Sequence, residues 1–201
     1  MLPLPLILAL GVGVAISGAL LLGARALAAN RLGRLVLLVG LVALPVTLSV
    51  GNFSYGVQES SSTRFCISCH EMQRHGKSLF VDDRQALAAV HYQRRLVERE
   101  GICYACHTDY ALFGDVKAKI NGLHHVWVHY LHPASAQLKL YQPYPNKNCL
   151  HCHADARPFL EAPTHRPVMD ALNGGALSCL GCHRVVHDLA KVDAQVFWQA
   201  N

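Results

Sequence analysis

Charged residues are scarce in this chain of 201 residues, since Asp, Glu, Lys and Arg make up only 15% of it. That proportion is low for a soluble domain. The basic residues form no run and the net charge is only +5, so the sequence has no electrostatic footprint of nucleic-acid binding. The basic side chains are better suited to neutralising the carboxylates of a cofactor or meeting an acidic partner.

The apolar residues are concentrated before residue 51, whereas polar residues, Cys and His dominate after about residue 60. Two uncharged stretches, Pro3 to Gly23 and Leu35 to Val50, are each near the roughly 20 residues that a helix needs to cross a bilayer. The second stretch is short and contains Pro45, which predicts a kink or a tilt. We therefore expect a membrane part followed by a water-facing part.

Three arginines, Arg25, Arg31 and Arg34, lie between the two apolar stretches. Positive residues near membrane ends stay in the cytoplasm, which predicts a cytoplasmic loop and places everything after about Asn52 in the periplasm. A signal peptide cleaved after Ala28 is the alternative, because Ala26-Leu27-Ala28 fits a small-x-small site. No basic residue precedes the apolar run, which argues against a signal peptide.

No cysteine of this chain stands alone: all eight fall in pairs separated by two residues, and each pair is followed directly by His. Cys-x-x-Cys-His is the attachment signature of c-type haem. The two thiols add to the vinyl groups at one edge of the porphyrin, and the next residue then lies under the ring and offers an imidazole to iron. The four motifs are Cys66, Cys69 and His70; Cys103, Cys106 and His107; Cys149, Cys152 and His153; and Cys179, Cys182 and His183.

Zinc sites and redox dithiols are the alternative interpretation of a Cys-x-x-Cys pair. A single motif would not distinguish a haem site from a zinc site or a redox dithiol. Zinc sites pair two such units without requiring His after both, and a disulfide needs no His at all. Four copies with His in the same place, on an exported chain with spare His, favour four covalently bound haem c groups.

The haem domain is too short to build a large apolar core, because roughly 130 residues would surround four haems. We therefore expect the haems to be the core, with short helices after the motifs, long loops and almost no sheet. The unequal spacing of the motifs excludes a solenoid. The predicted fold class is mainly α, with an N-terminal transmembrane helix pair (1–52) and a small, loop-rich, haem-cored multihaem cytochrome c domain (53–201).

Low-spin haems that carry electrons need a second axial ligand. His151 lies inside a motif whose neighbours are committed to one haem, which argues against it. His187 is too close to His183 to reach the far side of the same haem but can reach a neighbouring one. Met72, two residues after His70, could replace that His on iron, although Met more often fills a gap in a core. The histidines outside the proximal positions are His75, His91, His124, His125, His129, His132, His151, His165 and His187.

The sequence resembles the NapC/NirT/NrfH family of membrane-anchored tetrahaem cytochromes, which oxidise quinol and supply electrons to periplasmic reductases. The resemblance extends from Ser62 to Leu189. It rests on four segments: Cys66 to Met72, which is similar to the first-haem motif of that family; His91-Tyr92 before the second motif; the segment from Phe113 to Ile120 with Lys117 and Lys119; and His183 with the downstream His187.

The resemblance implies roles for individual residues. Met72, with His70 as the alternative, would bind the iron of the first haem and leave its other face open. His107, His153 and His183 would be the proximal ligands of haems two, three and four. As distal ligands, His91 would serve the fourth haem and His187 the third. The distal ligand of the second haem varies in the family and can come from a partner; His165 is the candidate here, with His124, His125 and His129 as alternatives.

The implied quinol site borders the first haem and includes Lys119. The acidic residue that the family has near the open haem face finds no clear match here; His124 or His125 occupies that neighbourhood, and Asp115 is the nearest acid upstream. A Lys or His there would hold the quinol oxygen and accept a proton. A further departure is the anchor, which usually has one helix in the family and has two here.

The predicted function is oxidation of menaquinol or ubiquinol, followed by electron transfer through the haems to a periplasmic reductase or cytochrome. The predicted location is the bacterial inner membrane, with the haem domain in the periplasm. One alternative is a non-catalytic relay subunit, with the extra helix docking a membrane partner subunit. Another is a small-molecule reductase with an open haem, for which the sequence offers no convincing set of catalytic groups.

Overall fold

The structure is a computed structural model that describes residues 4–131 and 143–199. Both ranges are helical and contain no strand; their only bridge joins Val81 to Phe197. The chain divides into two compact units, Met1–Ser60 and Ser61–Asn201. The predicted fold class is confirmed: the protein is mainly α, with two long apolar helices near the N-terminus and a small helical remainder.

The first unit contains two helical segments that are long and apolar enough to cross a membrane, Leu4–Leu22 and Arg31–Glu59, of 19 and 29 residues. The second continues past residue 52, so the boundary expected from the sequence falls within its last helix. Asn30 begins this segment, because its side chain accepts a hydrogen bond from Gly33 N at 2.8 Å. The elements are α1 (Leu4–Leu22), α2 (Ala24–Leu27), α3 (Arg31–Leu38), a π-helical turn (Val39–Ala43) and α4 (Leu44–Glu59).

The π-helical turn immediately precedes Pro45 and explains how the second segment accommodates it. Leu44 N–H bonds to Val39 O, five residues back. Proline has no N–H and its ring crowds the preceding turn, so widening one turn relieves the clash without ending the helix. Thr47 Oγ1 lies 2.9 Å from both Ala43 O and Leu44 O and satisfies carbonyl groups next to the proline.

Two glycines allow the long helices of the first unit to approach closely. A Cβ atom at Gly13 would lie 2.3 Å from Leu48 Cδ1, and one at Gly40 would lie 2.0 Å from Leu20 Cδ1. Ser17 Oγ donates a hydrogen bond to Gly40 O at 3.0 Å across the same contact. Small residues and hydroxyl hydrogen bonds are how helices associate in lipid, where the hydrophobic effect cannot drive them together.

The second unit consists of short helices, four of which contain or enter the Cys-x-x-Cys-His motifs. Cysteines at positions i and i+3 share one side of a helix, so the helical turns of the last three motifs present both thiols in the same direction, whereas the first helix ends at Ile67, before Cys69. As expected from the sequence, a further helix follows each motif. The helices are α5 (Thr63–Ile67), α6 (Gln73–Lys77), α7 (Leu87–Gln93), α8 (Ile102–His107), α9 (Gly114–Leu131), α10 (Asn146–His153), α11 (Arg157–Leu160), α12 (Met169–Asn173), α13 (Cys179–Cys182) and α14 (Leu189–Asp193), with 3₁₀ turns at His70–Met72, Ser78–Phe80, Arg99–Gly101 and Arg166–Val168.

The apolar core of the second unit is small. Its one cluster joins Val81, Ala86, Ala89 and Val192, with Val185 packed against it. Backbone hydrogen bonds from Leu87 N to Val185 O (3.0 Å) and from Ala88 N to Val186 O (3.1 Å) attach the start of α7 to the chain after the fourth motif. Among the described residues, eight apolar side chains are buried, too few to hold such a unit together without a further apolar component.

Candidate functional site

The eight motif cysteines are free thiols, and the structure brings successive motifs together. Cys66 and Cys103, of the first and second motifs, are within hydrogen-bonding reach, and this contact together with burial raises the pKa of the Cys66 thiol. Cys149 and Cys179, of the third and fourth motifs, are likewise in contact; burial first, then Cys179, raises the pKa of Cys149 to about 11. The charges of Cys106 and Cys152 also interact. The attachment points therefore form a continuous series from the first motif to the fourth.

Asn148 holds the second and third motifs in place. Its buried side chain donates from Nδ2 to Thr108 O at 2.7 Å and to Cys106 O at 3.3 Å. Tyr144 also donates to Cys106 O through its hydroxyl. Asn148 immediately precedes Cys149, so these bonds fix the spacing between the two motifs.

Replacing Asn148 by Ala should destabilise the haem-loaded protein by about 1–3 kcal/mol, because a buried carbonyl loses its donor. Thermal unfolding followed by absorbance would measure the loss. Asn121→Ala is the matched control, since Asn121 is an exposed asparagine of α9. Equal melting temperatures of the two variants would contradict this role for Asn148.

Each proximal histidine of the last three motifs lies opposite a second histidine. The ring centres are 6.4 Å apart for His107 and His187, 6.0 Å for His91 and His153, and 6.2 Å for His165 and His183. Imidazole nitrogens bind metals at about 2 Å, and the ring centre lies about 1 Å further away, so two imidazoles on opposite faces of one iron have centres about 6 Å apart. The three distances fit one iron between each pair.

The distal member of each pair has its Nδ1 atom engaged. His91 Nδ1 lies 2.7 Å from Leu87 O, and His165 Nδ1 lies 3.0 Å from Phe159 O. A carbonyl only accepts, so both Nδ1 atoms carry the proton. Nε2 is then left as the nitrogen with a lone pair for iron, and the hydrogen bond fixes the orientation of the ring.

The Nδ1 atom of His187 is also engaged in a hydrogen bond, in this case with a hydroxyl group. Its Nδ1 atom lies 2.7 Å from Ser78 Oγ, and Ser78 in turn donates its proton to His75 O at 2.6 Å. Ser78 therefore accepts from His187, whose Nε2 stays available. Burial first, then the neighbours His75 and His107, lowers the pKa of His187 to about 4, so the imidazole is neutral near pH 7, as iron ligation requires.

His75 supports the presence of a further group in this region. Its ring centre is 5.2 Å from that of His187, and its Nδ1 atom is buried with no hydrogen-bond partner among the described residues. Buried polar atoms are normally satisfied. A haem held between His107 and His187 would add a further group next to His75, so the residues present fit the cofactor.

The observed pairs differ from those implied by the family resemblance. His187 lies against the second motif rather than the third, His91 against the third rather than the fourth, and His165 against the fourth rather than the second. For His187, the attachment of α7 to the chain after the fourth motif accompanies its contact with Ser78. Of the other histidines, His151 stacks on Tyr110, with ring centres 3.8 Å apart, and His132 lies outside the described residues.

The first motif has a different environment. His70 is exposed and its Nε2 atom lies 3.3 Å from the Glu71 carboxylate, whereas Met72 is half-buried in the following 3₁₀ turn. His129 Nδ1 lies 2.5 Å from the same carboxylate, and its ring centre is 5.6 Å from that of His70. Sequence reasoning named His129 only as an alternative ligand. The 3.6-residue period of α9, which places Lys119 and His129 on one side, is the signal that indicates its position.

Lys119 lies where the first and second motifs meet. Its Nζ atom donates to Ser61 Oγ at 2.6 Å and is 4.2 Å from the centre of the Tyr104 ring, between Cys103 and Cys106. Burial lowers the pKa of the Lys119 ammonium, while the charge of Cys66 acts in the opposite direction.

The other two residues of the predicted quinol site occupy different positions on α9. His125 is close enough to His107 for its charge to lower the pKa of His107, and burial lowers the pKa of His125 itself. His124 and His125 are both exposed. The structure therefore brings Lys119 to the place where the first and second motifs meet and His125 towards His107 of the second motif.

Motifs that present paired thiols beside opposed imidazoles define a c-type cytochrome. A model of the NapC/NirT cytochrome c family, N-terminal region, matches residues 28–192. The chain belongs to this family, and it therefore carries covalently bound haem c; the resemblance noted from the motifs is confirmed.

Two curated relatives agree with this assignment. The chain is 25% identical to the cytochrome c-type protein NapC of Escherichia coli (strain K12) over 158 residues, covering 69% of this chain and 74% of the relative. It is also 25% identical to the protein of the same name from Haemophilus influenzae over 166 residues, covering 74% and 78%. No solved structure matches the chain significantly.

Proposed function

We propose that this protein is a membrane-bound tetrahaem cytochrome c that oxidises quinol and passes the electrons through four haems to a periplasmic redox partner. The observation that carries the proposal is the set of three histidine pairs, each next to a Cys-x-x-Cys-His motif, in series with a first motif that has Lys119 beside it. The proposed location is the bacterial inner membrane, with residues after the anchor in the periplasm.

The haem supplies one-electron redox chemistry, and the chain supplies attachment, ligands and electrostatics. The cysteines would attach the haems in series, and His91, His165 and His187, whose Nδ1 atoms are engaged, would offer Nε2 to iron as distal ligands. Contact between successive motifs keeps each transfer between neighbouring haems short. The proximal ligands are His107, His153 and His183, with Met72 or His70 at the first haem.

Lys119 and His125 are the proposed quinol-site residues for which the structure offers support; His124 remains a prediction from the sequence. Lys119 Nζ presents an N–H donor at the first motif and can hold a quinol oxygen. His125, whose pKa is lowered by burial, is neutral near pH 7 and can accept a proton from the oxidised quinol. This division of roles makes Lys119 the group whose loss should affect quinol binding most directly.

Replacing Lys119 by Ala should lower the rate of quinol oxidation by about 10- to 100-fold, the value of a hydrogen bond from a charged donor. The assay is steady-state reduction of the haems by a water-soluble quinol analogue. Lys117→Ala is the control, because Lys117 is on the same helix but pairs with Asp109 at 3.3 Å. Reduction by dithionite should be unchanged in both variants. An unchanged quinol rate in Lys119→Ala would remove Lys119 from the site.

The second candidate function is a relay subunit that receives electrons from another membrane protein. It is favoured by His129, whose ring centre lies 5.6 Å from that of His70, close enough for the two to occupy both faces of the first iron. Low-temperature EPR of the oxidised protein separates the two functions. A high-spin signal that shifts when a quinol-site inhibitor is added supports the dehydrogenase. Four low-spin signals that the inhibitor does not change support the relay.

A further inference from the structure

One face of α9 carries a continuous stripe of apolar side chains that other described residues leave uncovered. Its members recur every three or four residues, as one face of a helix requires. They are between 57% and 77% exposed, whereas a scattered exposed apolar residue would need no explanation. The stripe consists of Val116, Ile120, Leu123, Trp127 and Tyr130, and the exposed Phe113, directly before the first residue of α9, adjoins its N-terminal end.

The residues of α9 that contact the motifs lie on a different face. Asp115 accepts hydrogen bonds from Tyr104 and Thr108, Lys119 donates to Ser61, and His129 pairs with Glu71. At 100° per residue, the mean direction of these three is about 110° around the helix from the centre of the stripe. The first and second motifs, which would hold their haems, meet α9 through these contacts, so the stripe on the other face needs another cover.

A lipid bilayer fits the chemistry of the stripe. Trp127 and Tyr130 form its C-terminal end, and these two residue types concentrate at membrane interfaces because they have an apolar body and a polar tip. Asp115 is the one acidic residue between Gly114 and Leu131, and it is engaged on the motif side. The stripe therefore faces outward with no carboxylate of its own helix to repel anionic headgroups.

The membrane anchor lowers the entropic cost of bringing α9 to the bilayer. The second apolar helical segment ends at Glu59, and the helical unit that contains α9 follows on the same chain. A tethered surface meets the bilayer at a high effective concentration, so even a weak interfacial helix remains bound. A free soluble domain would need more apolar area or lipidation for the same result.

We infer that α9 is an interfacial helix that lies in the surface of the bilayer, with the stripe among the upper acyl chains and its polar side towards the motifs. The partner is the phospholipid of the membrane that the anchor crosses. This contact is independent of quinol chemistry, and a readout from lipid alone distinguishes its failure from failure of the proposed function.

The test uses the full-length, haem-loaded protein in nanodiscs of phosphatidylcholine and phosphatidylglycerol that contain a phospholipid with a photoreactive diazirine near the glycerol. After irradiation and proteolysis, mass spectrometry counts lipid adducts on the α9 peptide relative to those on α1. We expect adducts on α9 in the unchanged protein. Leu123→Glu should lower the α9 ratio by at least about tenfold, as expected when a buried leucine contact is lost.

Asn121→Glu is the matched control, because it adds the same charge to an exposed position about 130° around α9 from the stripe. It should leave the adduct ratio unchanged. Haem absorbance verifies that each variant is assembled, and Trp127→Gln replaces Leu123→Glu if that variant fails to assemble. The inference is overturned by an absence of α9 adducts in the unchanged protein, by equal losses in both variants, or by a dimer in detergent that Leu123→Glu dissociates, since a second copy would then be the cover.

Discussion

Replacing Cys66 and Cys69 together by Ala should abolish quinol oxidation while three haems stay attached. Lys119 lies where the first and second motifs meet, and the first haem is the proposed point at which electrons enter. Without that haem, the remaining three have no route from the quinol. Intact-mass spectrometry would count the haems, and quinol-dependent reduction would measure the activity. The other three motifs keep their cysteines and their opposed histidines, so dithionite should still reduce their haems.

The double variant Ile67→Ala with Ser68→Ala is the control for this experiment, since it changes the same motif but leaves both thiols. It should keep four haems and most of the activity. Quinol oxidation that persists without Cys66 and Cys69 would mean that electrons enter at another motif. A protein that loses all of its haems would instead show that the first haem is needed for assembly, and a single change, Cys69→Ala, would then be used.

Replacing His187 by Ala should remove one axial ligand from the second haem and convert that iron from low spin to high spin. The reason is the pairing of His187 with His107, with ring centres 6.4 Å apart. EPR of the oxidised protein would show one low-spin signal fewer. His151→Ala is the control, because His151 stacks on Tyr110 and should leave every signal unchanged.

The haem that loses its ligand can be identified by combining His187→Ala with the removal of one haem at a time. Two changes to the same site do not have additive effects on the spectrum, whereas changes to separate sites do. In a background without Cys103 and Cys106, the second haem is absent, so His187→Ala should have no further effect on the spectrum. In a background without Cys149 and Cys152, it should have its full effect. The reverse pattern would assign His187 to the third haem, as the family resemblance implied, and would refute the pairing seen in the structure.

The covalent part of the site can be predicted from the sequence because its chemistry is local. Cys103, Cys106 and His107 lie within five consecutive residues, and their spacing alone specifies the attachment of a haem. The family and the helical fold class followed from such motifs and from the apolar stretches, and both are confirmed. The proximal roles of His107, His153 and His183 stay predictions of this local kind.

The distal ligands cannot be assigned to haems in this way, because they depend on contacts between distant parts of the chain. His187 meets Ser78 across 109 residues, and nothing in the sequence near either residue indicates the contact. His129 was named from the sequence only as an alternative ligand of the second haem, and the structure places it against Glu71 of the first motif instead. The π-helical turn before Pro45 is an intermediate case: the proline predicted a kink or a tilt, but the sequence did not indicate that a π-helical turn would precede it.

The placement of His187 has a consequence for the order in which the protein matures. The N-terminal parts of a chain become available first during synthesis, so His91 would emerge before its partner His153. His187 comes after all four motifs, 80 residues after its partner His107. The second haem would therefore wait, with one face open, until almost the whole chain has been exported. Completion of its coordination would therefore require the chain as far as His187, and no product truncated before that residue could achieve it.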